Sequence, residues 1–172
     1  ARFTNVSINA VIEAKDASSI YDVPILMQAE ELDVVVLDKL GLSKRNPPKL
    51  DNWKNFLDRL KNPKCEINIA LVGKYVELKD SYKSIAEAFI HAGAANDIKV
   101  NLQWLSSETM DSDDISETLA GLDGILVAPG FGERGIQGKI NAVKYARENK
   151  IPFLGICLGM QCAVIEYARN VM

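Results

Sequence analysis

The residues of this sequence best suited to covalent chemistry are the five at positions 155–159, which read Gly-Ile-Cys-Leu-Gly. They follow a short apolar run typical of a strand and precede a run with helical periodicity, so Cys157 is predicted to lie at a strand-to-helix turn. Glycines on both sides permit a sharp turn in which a Cβ atom would clash. The pattern is typical of a nucleophile elbow, whose thiol attacks an acyl carbon.

The predicted helix after Cys157 favours a reactive thiolate, because the free N–H groups and the dipole at a helix N-terminus stabilise negative charge. Outside such a setting, a cytosolic cysteine is most often a small buried apolar side chain. The two glycines and the strand-to-helix position favour the nucleophile for Cys157. Cys65 and Cys162 lack this setting, and we assign them no catalytic role.

A second glycine-rich segment, residues 129–135, follows another predicted strand and reads Pro-Gly-Phe-Gly-Glu-Arg-Gly. In acyl transfer, a backbone N–H from such a loop and the N–H that follows the nucleophile can stabilise a tetrahedral oxyanion. This interpretation makes Gly130 and Leu158 the donors, whereas Pro129 has no N–H to offer. An ordinary strand-to-helix connection would have the same composition.

The elements that would hold these two segments alternate between strands and helices over residues 67–172. The predicted strands are residues 67–73, 100–105, 124–128 and 152–156. The predicted helices are one that is capped by Asp80 or Ser81 and ends at Gly93, and those over residues 115–119, 138–149 and 158–171. Continuous apolar strands alternating with helices predict an α/β fold of three layers, with a mostly parallel sheet covered on both faces.

The first 66 residues do not show this alternation. Residues 1–6 are predicted to be the end of a strand that begins upstream, and Asp16 is a candidate helix cap. Residues 43–49 are polar and rich in proline, which predicts a turn or an extended segment. Trp53, Phe56, Leu57 and Leu60 then follow at helical spacing, which predicts a short amphipathic helix.

Composition excludes several classes of function. Of the 172 residues, 48% are hydrophobic and 25% are charged, which predicts a folded soluble domain rather than a disordered chain. The net charge of −3 argues against a nucleic-acid surface, and no apolar run is long enough to span a membrane. Three scattered cysteines and one histidine, His91, predict reduced thiols, a cytoplasmic location and no metal site.

Two lysines, Lys74 and Lys83, lie in the region where a phosphate-binding residue could be sought. Lys74 follows Gly73, but the sequence around it lacks the pattern G-x-x-x-x-G-K-[ST] of a phosphate-binding loop. We therefore predict that both lysines are solvated on the surface, with a role in the response to nucleotides as the alternative.

Residues 155–161 resemble the nucleophile segment of class I glutamine amidotransferases. Other parts of the chain resemble the CTP synthase family within that class, namely residues 71–85, 132–135, 146–149 and 165–171, while residues 19–24 resemble the tail of that family's synthetase domain. This resemblance covers nearly the whole chain. It implies a synthetase-domain tail over residues 1–43, an interdomain linker over residues 44–66, and the N-terminal part of an amidotransferase domain over residues 67–172, with the domain incomplete at its C-terminus.

The resemblance also implies roles for individual residues. Cys157 would attack the carboxamide of glutamine, form a glutamyl thioester and release ammonia. The remaining roles are oxyanion donors (Gly130, Leu158), lining of the glutamine pocket (Gly159, Met160, Gln161), a mobile wall between that pocket and the ammonia route (Phe131), and contact with the adenine of ATP (Lys15, Asp16, Ala17).

The implied complete enzyme uses ATP and Mg²⁺ to phosphorylate O4 of UTP, and ammonia then gives CTP. The resemblance implies GTP as an activator, CTP as an inhibitor, a homotetrameric assembly and no covalently bound cofactor. A His and a Glu of the family's triad have no match in this chain, since His91 lies in the first helix of the domain and is expected on the surface. We therefore expect little or no glutamine hydrolysis by this chain alone.

One departure from the family concerns the glycine-rich loop. Members commonly read Pro-Gly-Gly-Phe-Gly, whereas residues 128–132 here read Ala-Pro-Gly-Phe-Gly. Of Pro129 and Gly130, which stand where the family commonly has two glycines, only Gly130 can donate an N–H to the oxyanion. If the family's reaction required both N–H groups, glutamine hydrolysis would be weakened here.

Two kinds of alternative function remain for the chain. The first is another class I amidotransferase or a cysteine peptidase, against which residues 1–43 argue. The second is a non-catalytic assembly or regulatory module with an inert Cys157.

Overall fold

The computed structural model describes residues 3, 5–42, 46–111 and 115–172. The strands found there are β1 (Cys65–Gly73), β2 (Ile98–Ser106), β3 (Gly124–Val127) and β4 (Phe153–Gly155). The α-helices found there are α1 (Val23–Ala29), α2 (Leu32–Lys39), α3 (Asp51–Lys61), α4 (Lys83–Ala95), α5 (Ser116–Leu119), α6 (Ile136–Glu148) and α7 (Leu158–Asn170). Contacts divide the chain into two compact units, Ala1–Lys61 and Asn62–Met172.

The second unit contains a four-stranded sheet in the order β2-β1-β3-β4. All three strand pairs are parallel, which confirms the predicted α/β fold. After β1, the chain forms β2 on one side of β1 and then crosses to form β3 on the other side. In such sheets, the carboxyl ends of the strands on either side of this reversal form the crevice where ligands bind.

Alternate residues of the strands pack on opposite faces of the sheet, as the period of two in a strand requires. Ala70 and Val72 of β1 face a buried cluster formed with α5, α6 and α7. Leu71 faces a second cluster that includes Tyr82 and residues of α4. The four residues of β3 are all buried. Helices therefore cover both faces, which gives the three predicted layers.

The predicted helices and strands of this unit are present, with boundaries that shift by a few residues. The predicted cap of α4, Asp80 or Ser81, was wrong: both lie in a preceding short turn, and the N-cap residue is Tyr82. β1 begins at Cys65 and β2 extends over Ile98–Ser106, because the two strands pair along their whole length from Cys65 opposite Ile98 to Gly73 opposite Ser106. The helix predicted from residue 138 begins two residues earlier, at Ile136. No helix in the described part of the chain is long and apolar enough to cross a membrane.

The first unit is helical. The predicted helix over residues 50–60 is confirmed as α3, whose Trp53 donates from Nε1 to the carbonyl of Tyr21 at 2.9 Å. The rings of Tyr21, Trp53 and Phe56 pack together, and Lys61 forms an ion pair with Asp22 at 2.6 Å. These contacts join α3 to the segment that precedes α1. The predicted boundaries at residues 43 and 66 stay predictions.

Two predictions for this unit were wrong. The first helical turn after residue 16 covers Ile20–Asp22, and its cap is Ser19, whose Oγ accepts from the N–H of Tyr21 at 3.2 Å. Asp16 lies too far upstream to cap it. The predicted strand end falls partly on residues 1, 2 and 4, which lie outside the described residues; Phe3 and Asn5 lie in turns, and no strand pairs with them.

An ion pair joins α6 and α7. Glu166 is 1% exposed and accepts from Arg147 through Nε at 3.1 and 3.0 Å and through Nη2 at 2.8 Å, while Asn170 donates to it at 3.1 Å. The pKa of Arg147 is raised, mainly because its guanidinium donates hydrogen bonds to Glu166. Because Glu166 is buried, this pair holds α7, the helix after Cys157, against α6 on the same face of the sheet.

We expect Glu166→Gln to lower the free energy of unfolding by about 1–3 kcal/mol, because a buried amide cannot accept all the hydrogen bonds that the carboxylate takes from Arg147 and Asn170. Urea denaturation measures the change. The matched control is Glu148→Gln, which removes an exposed contact of the same Arg147 at 3.3 Å and is expected to cost less than about 0.5 kcal/mol. Equal effects of the two substitutions would contradict the structural role assigned to the buried pair.

Candidate active site

Cys157 lies between the end of β4 and the first residue of α7, at the carboxyl edge of the sheet. Its backbone has φ 52° and ψ −107°, a conformation that is strained for a residue with a side chain. The N–H of Ile156 bonds to the carbonyl of Val127 at 3.0 Å, which ties the turn to the end of β3. The side chain of Cys157 is exposed, so the thiol is presented to solvent as an elbow requires.

The two glycines that flank Cys157 are required by close backbone contacts. A Cβ on Gly159 would lie 2.1 Å from the carbonyl oxygen of Val127, and a Cβ on Gly155 would lie 2.5 Å from the carbonyl carbon of Gly159. Each of these contacts is with backbone, which cannot move aside as a flexible side chain can. The first turn of α7 therefore lies directly against the ends of β3 and β4.

The other two cysteines lie in different surroundings. Cys162 is fully buried in the core, and burial raises the pKa of its thiol, an effect that the charges of Lys139 and Lys74 partly offset. Cys65 is exposed but begins β1, at the amino edge of the sheet. Cys157 is thus the one cysteine of the three that is exposed at the carboxyl edge.

The candidate oxyanion donors come from segments in contact. A Cβ on Gly130 would lie 3.9 Å from Cδ2 of Leu158, so the loop after β3 packs on the first residue of α7. Leu158 begins α7, and the N–H groups of a first helical turn have no carbonyl partner within the helix. Two further N–H groups near the elbow are occupied: Gly159 donates to Ile156 at 2.9 Å and Gln161 donates to Cys157 at 3.1 Å.

The remaining predicted residues near the elbow differ in exposure. Phe131 is 88% exposed and Met160 is 56% exposed, while Gly159 is buried and Gln161 is exposed. The exposed side chains of Phe131, Met160 and Gln161 are accessible to a small ligand.

Sequence reasoning missed one residue of this site, Lys139, and misplaced another, Lys74. The prediction that Lys74 is solvated was wrong: it is 7% exposed, and Lys139 is fully buried. Lys74 donates to the carbonyls of Phe131 and Gly132 at 2.6 and 2.7 Å. Lys139 donates to Ala128 at 2.7 Å. Both ammonium groups therefore lie beneath the loop over residues 128–132.

A signal for Lys139 was present in the sequence. Its position precedes Ala142, Val143 and Ala146 by three, four and seven residues, which places it on the buried face of α6. Burial lowers the pKa of its ammonium; Cys162 and Cys157 act in the opposite direction, and Lys74 lowers it further. A cation on the apolar face of a helix is an exception to the usual pattern, and such exceptions often mark functional sites.

The three residues predicted to contact adenine lie in the first unit. Lys15 forms ion pairs with Glu13 and Glu30 at 3.3 and 3.4 Å, and Asp16 and Ala17 line an open cavity of about 520 Å³. His91 is exposed on α4, as predicted. In the described part of the chain, no three or more His, Cys, Asp or Glu side chains converge as a metal site.

The parallel sheet, the strained cysteine elbow and the adjoining glycine-rich loop are together typical of an enzyme of the α/β class with a cysteine nucleophile. The family model of class I glutamine amidotransferases matches residues 77–172. This chain therefore belongs to the class I glutamine amidotransferase family.

Within that family, the chain is similar to proteins named CTP synthase. It is 66% identical to the one from Cytophaga hutchinsonii over its full length and 58% identical to the one from Methanocaldococcus jannaschii over 99% of its length. It spans about a third of each, 32% and 33% respectively. The glutaminase domain of Trypanosoma brucei CTPS with bound acivicin is 42% identical, with a TM-score of 0.57 over 61% of this chain and 41% of that one.

We expect Gly159→Ala to lower the free energy of unfolding by about 2 kcal/mol, because its Cβ would overlap the carbonyl of Val127 and overpacking costs about 1–3 kcal/mol. The displaced turn should also slow alkylation of Cys157 by iodoacetamide. The matched control is Gly124→Ala, whose Cβ would meet its nearest atom at an ordinary 3.6 Å. If both variants were as stable and reactive as the unmodified chain, the close contact would not constrain the elbow.

Proposed function

We propose that this chain is the glutamine-hydrolysing part of a CTP synthase, together with the tail of its synthetase domain and the linker between them. The observation that supports this most strongly is the exposed Cys157, held at positive φ between β4 and α7 beside the loop that carries Gly130. The similarity to CTP synthases over the whole chain narrows the class of amidotransferase. Since the chain spans about a third of those relatives, the complete reaction is part of the proposal.

The proposed chemistry at the elbow is acyl transfer. The thiolate of Cys157 attacks the carboxamide carbon of glutamine, and the N–H groups of Gly130 and Leu158 stabilise the negative charge that develops on the carboxamide oxygen. The tetrahedral intermediate collapses with cleavage of the C–N bond, which releases ammonia and leaves a glutamyl thioester. Water then hydrolyses the thioester to glutamate and frees the thiol.

Proton transfer to the departing nitrogen needs a general acid and base. The family's His and Glu have no counterpart in these 172 residues by resemblance, and the one histidine, His91, lies on α4, on the other face of the sheet from α6 and α7. We therefore propose that the nucleophile and oxyanion donors are present in this chain without their base.

The glutamine pocket is proposed to form over the first turn of α7. Gly159 would line the base of this pocket by holding the first turn of α7 against Val127, while Met160 and Gln161 offer an apolar and a polar contact. The related Trypanosoma brucei domain binds acivicin, a glutamine analogue, which supports glutamine as the substrate here. Phe131, on the exposed loop, would separate this pocket from the route that ammonia follows.

The synthetase half of the reaction is proposed from the first unit. Lys15, Asp16 and Ala17 would contact the adenine of ATP, and the complete enzyme would phosphorylate O4 of UTP before ammonia displaces the phosphate. GTP activation, CTP inhibition, a homotetramer and a cytoplasmic location complete the proposal. Mg²⁺ would accompany the ATP phosphates; the described residues of this chain offer no cluster of ligands for it, and we assign it no step.

We expect a diazo-ketone analogue of L-glutamine to alkylate Cys157 in preference to Cys65 and Cys162, because the pocket concentrates the reagent at the elbow alone. Peptide mass spectrometry after limited exposure measures the three sites. The D-enantiomer is the matched control, since it has the same reactivity but should fit the pocket poorly. Equal inertness of all three thiols would favour a non-catalytic module, and equal labelling by both enantiomers would contradict a glutamine pocket.

We expect the 172-residue chain to release little or no ammonia from glutamine. In a full-length CTP synthase that carries this sequence, Cys157→Ala should abolish CTP formation from glutamine but preserve CTP formation from added ammonium chloride. A coupled assay for CTP with each nitrogen source makes the comparison. Glutamine-dependent activity that survives Cys157→Ala would contradict the proposed nucleophile, and ammonia release by the isolated chain would contradict the missing base.

A further inference from the structure

The loop over residues 128–132 is held from below by two lysines, and one of them acts on the peptide that carries the candidate oxyanion donor. Lys139 reaches this loop from the buried face of α6. Its Nζ donates to the carbonyl of Ala128 at 2.7 Å and makes a longer contact of 3.4 Å with the carbonyl of Pro129. The short bond anchors the start of the loop, and the longer contact draws the next carbonyl to the same side.

The direction of the Gly130 N–H follows from that contact. The carbonyl of Pro129 and the N–H of Gly130 belong to one planar peptide unit, and in a trans peptide they point in opposite directions. The described residues contain no cis peptide bond. Because the Pro129 carbonyl lies toward Lys139, the Gly130 N–H points to the opposite side of the loop, away from the buried ammonium.

Gly130 itself lies between the lysine and the elbow. A Cβ on Gly130 would lie 3.5 Å from Nζ of Lys139 and 3.9 Å from Cδ2 of Leu158. Gly130 therefore lies close both to the buried ammonium and to the first residue of α7.

We propose that Lys139 is a positioning residue that turns the N–H of Gly130 toward the oxyanion formed at Cys157. This inference rests on the proposed acyl-transfer function. It goes beyond it by assigning the orientation of the donor to a buried cation on α6 that touches neither substrate nor nucleophile.

The alternative, that Lys139 only fills space, is disfavoured by the cost of burying a charge. An apolar side chain of similar length, such as methionine, would fill the same volume without that cost. What methionine lacks is the ability to bind the two carbonyls. Lys74 does not duplicate this role, because it binds the carbonyls of Phe131 and Gly132, on the far side of Gly130.

The test compares two reactions of the same thiol in the 172-residue chain. Acylation by p-nitrophenyl acetate passes through a tetrahedral oxyanion, whereas alkylation by iodoacetamide is a direct displacement that forms none. Both are measured in a Cys65→Ala background, the first from release of p-nitrophenolate and the second by mass spectrometry. The ratio of the two rate constants isolates the oxyanion contribution from the nucleophilicity of Cys157.

We expect Lys139→Met to slow acylation of Cys157 by about tenfold or more, since loss of one oxyanion donor costs about 10²–10³ in rate. Alkylation should change by less than about threefold, because a direct displacement does not use the donor. The matched control is Lys144→Met, the same substitution at an exposed position of α6, which should change neither rate. Unchanged acylation, or an equal slowing of both reactions, would overturn the inference.

The design separates failure of the inference from failure of the proposed function. If Cys157 of the otherwise unmodified chain is acylated no faster than Cys65 in a Cys157→Ala variant, acyl transfer itself fails. If Cys157 is acylated faster than Cys65, and its acylation rate is the same in Lys139→Met as in the otherwise unmodified chain, only the role of Lys139 fails.

A measurement on the unmodified chain covers the case in which Lys139→Met does not fold. A crystal structure of the hemithioacetal between Cys157 and a glutamate γ-semialdehyde should place the Gly130 nitrogen within hydrogen-bonding distance of the hemithioacetal oxygen, with Lys139 still bonded to Ala128. A Gly130 N–H turned toward Lys139, or away from that oxygen, would overturn the inference.

Discussion

The close approach between the first turn of α7 and the end of β3 is the constraint on which the rest of the site depends. Gly159 lies so near the Val127 carbonyl that a single methyl group would not fit. This contact keeps α7 against the sheet and leaves Cys157 at a positive φ. Backbone strain of this kind persists only where the surroundings determine it, and here the parallel pairing of β3 with β4 supplies those surroundings.

The second constraint on the site is the pair of buried lysines, Lys74 and Lys139, that bind the loop over residues 128–132. Two buried ammonium groups bind carbonyls on either side of Gly130, although the burial of Lys139 is unfavourable enough to lower its pKa. In some proteins a buried polar or charged group specifies one arrangement of the backbone through its hydrogen bonds. Loops can carry function because a rigid scaffold positions them, and here part of that scaffold is electrostatic.

The sheet and its covering helices could be predicted because each strand and helix carries a local pattern. Apolar runs such as residues 67–73 and 124–128 have no other stable place than a sheet covered on both faces. Local patterns were weaker at boundaries and for polar residues. The true cap, Ser19, lay three residues from the predicted one. Lys74 was predicted to be exposed because it is charged. Its burial depends on hydrogen bonds to residues 57 and 58 positions away in the sequence.

By itself, the sequence determined the candidate nucleophile and its position at a turn, since two glycines around a cysteine between a strand and a helix leave few other geometries. It also determined the class of fold and, through resemblance, the family. Only the tertiary structure decided which side chains support the loop. Lys139 meets Ala128 and Pro129 because parallel strands bring their carboxyl ends to one edge and α6 packs beneath it. Such a meeting depends on packing, which no local pattern encodes.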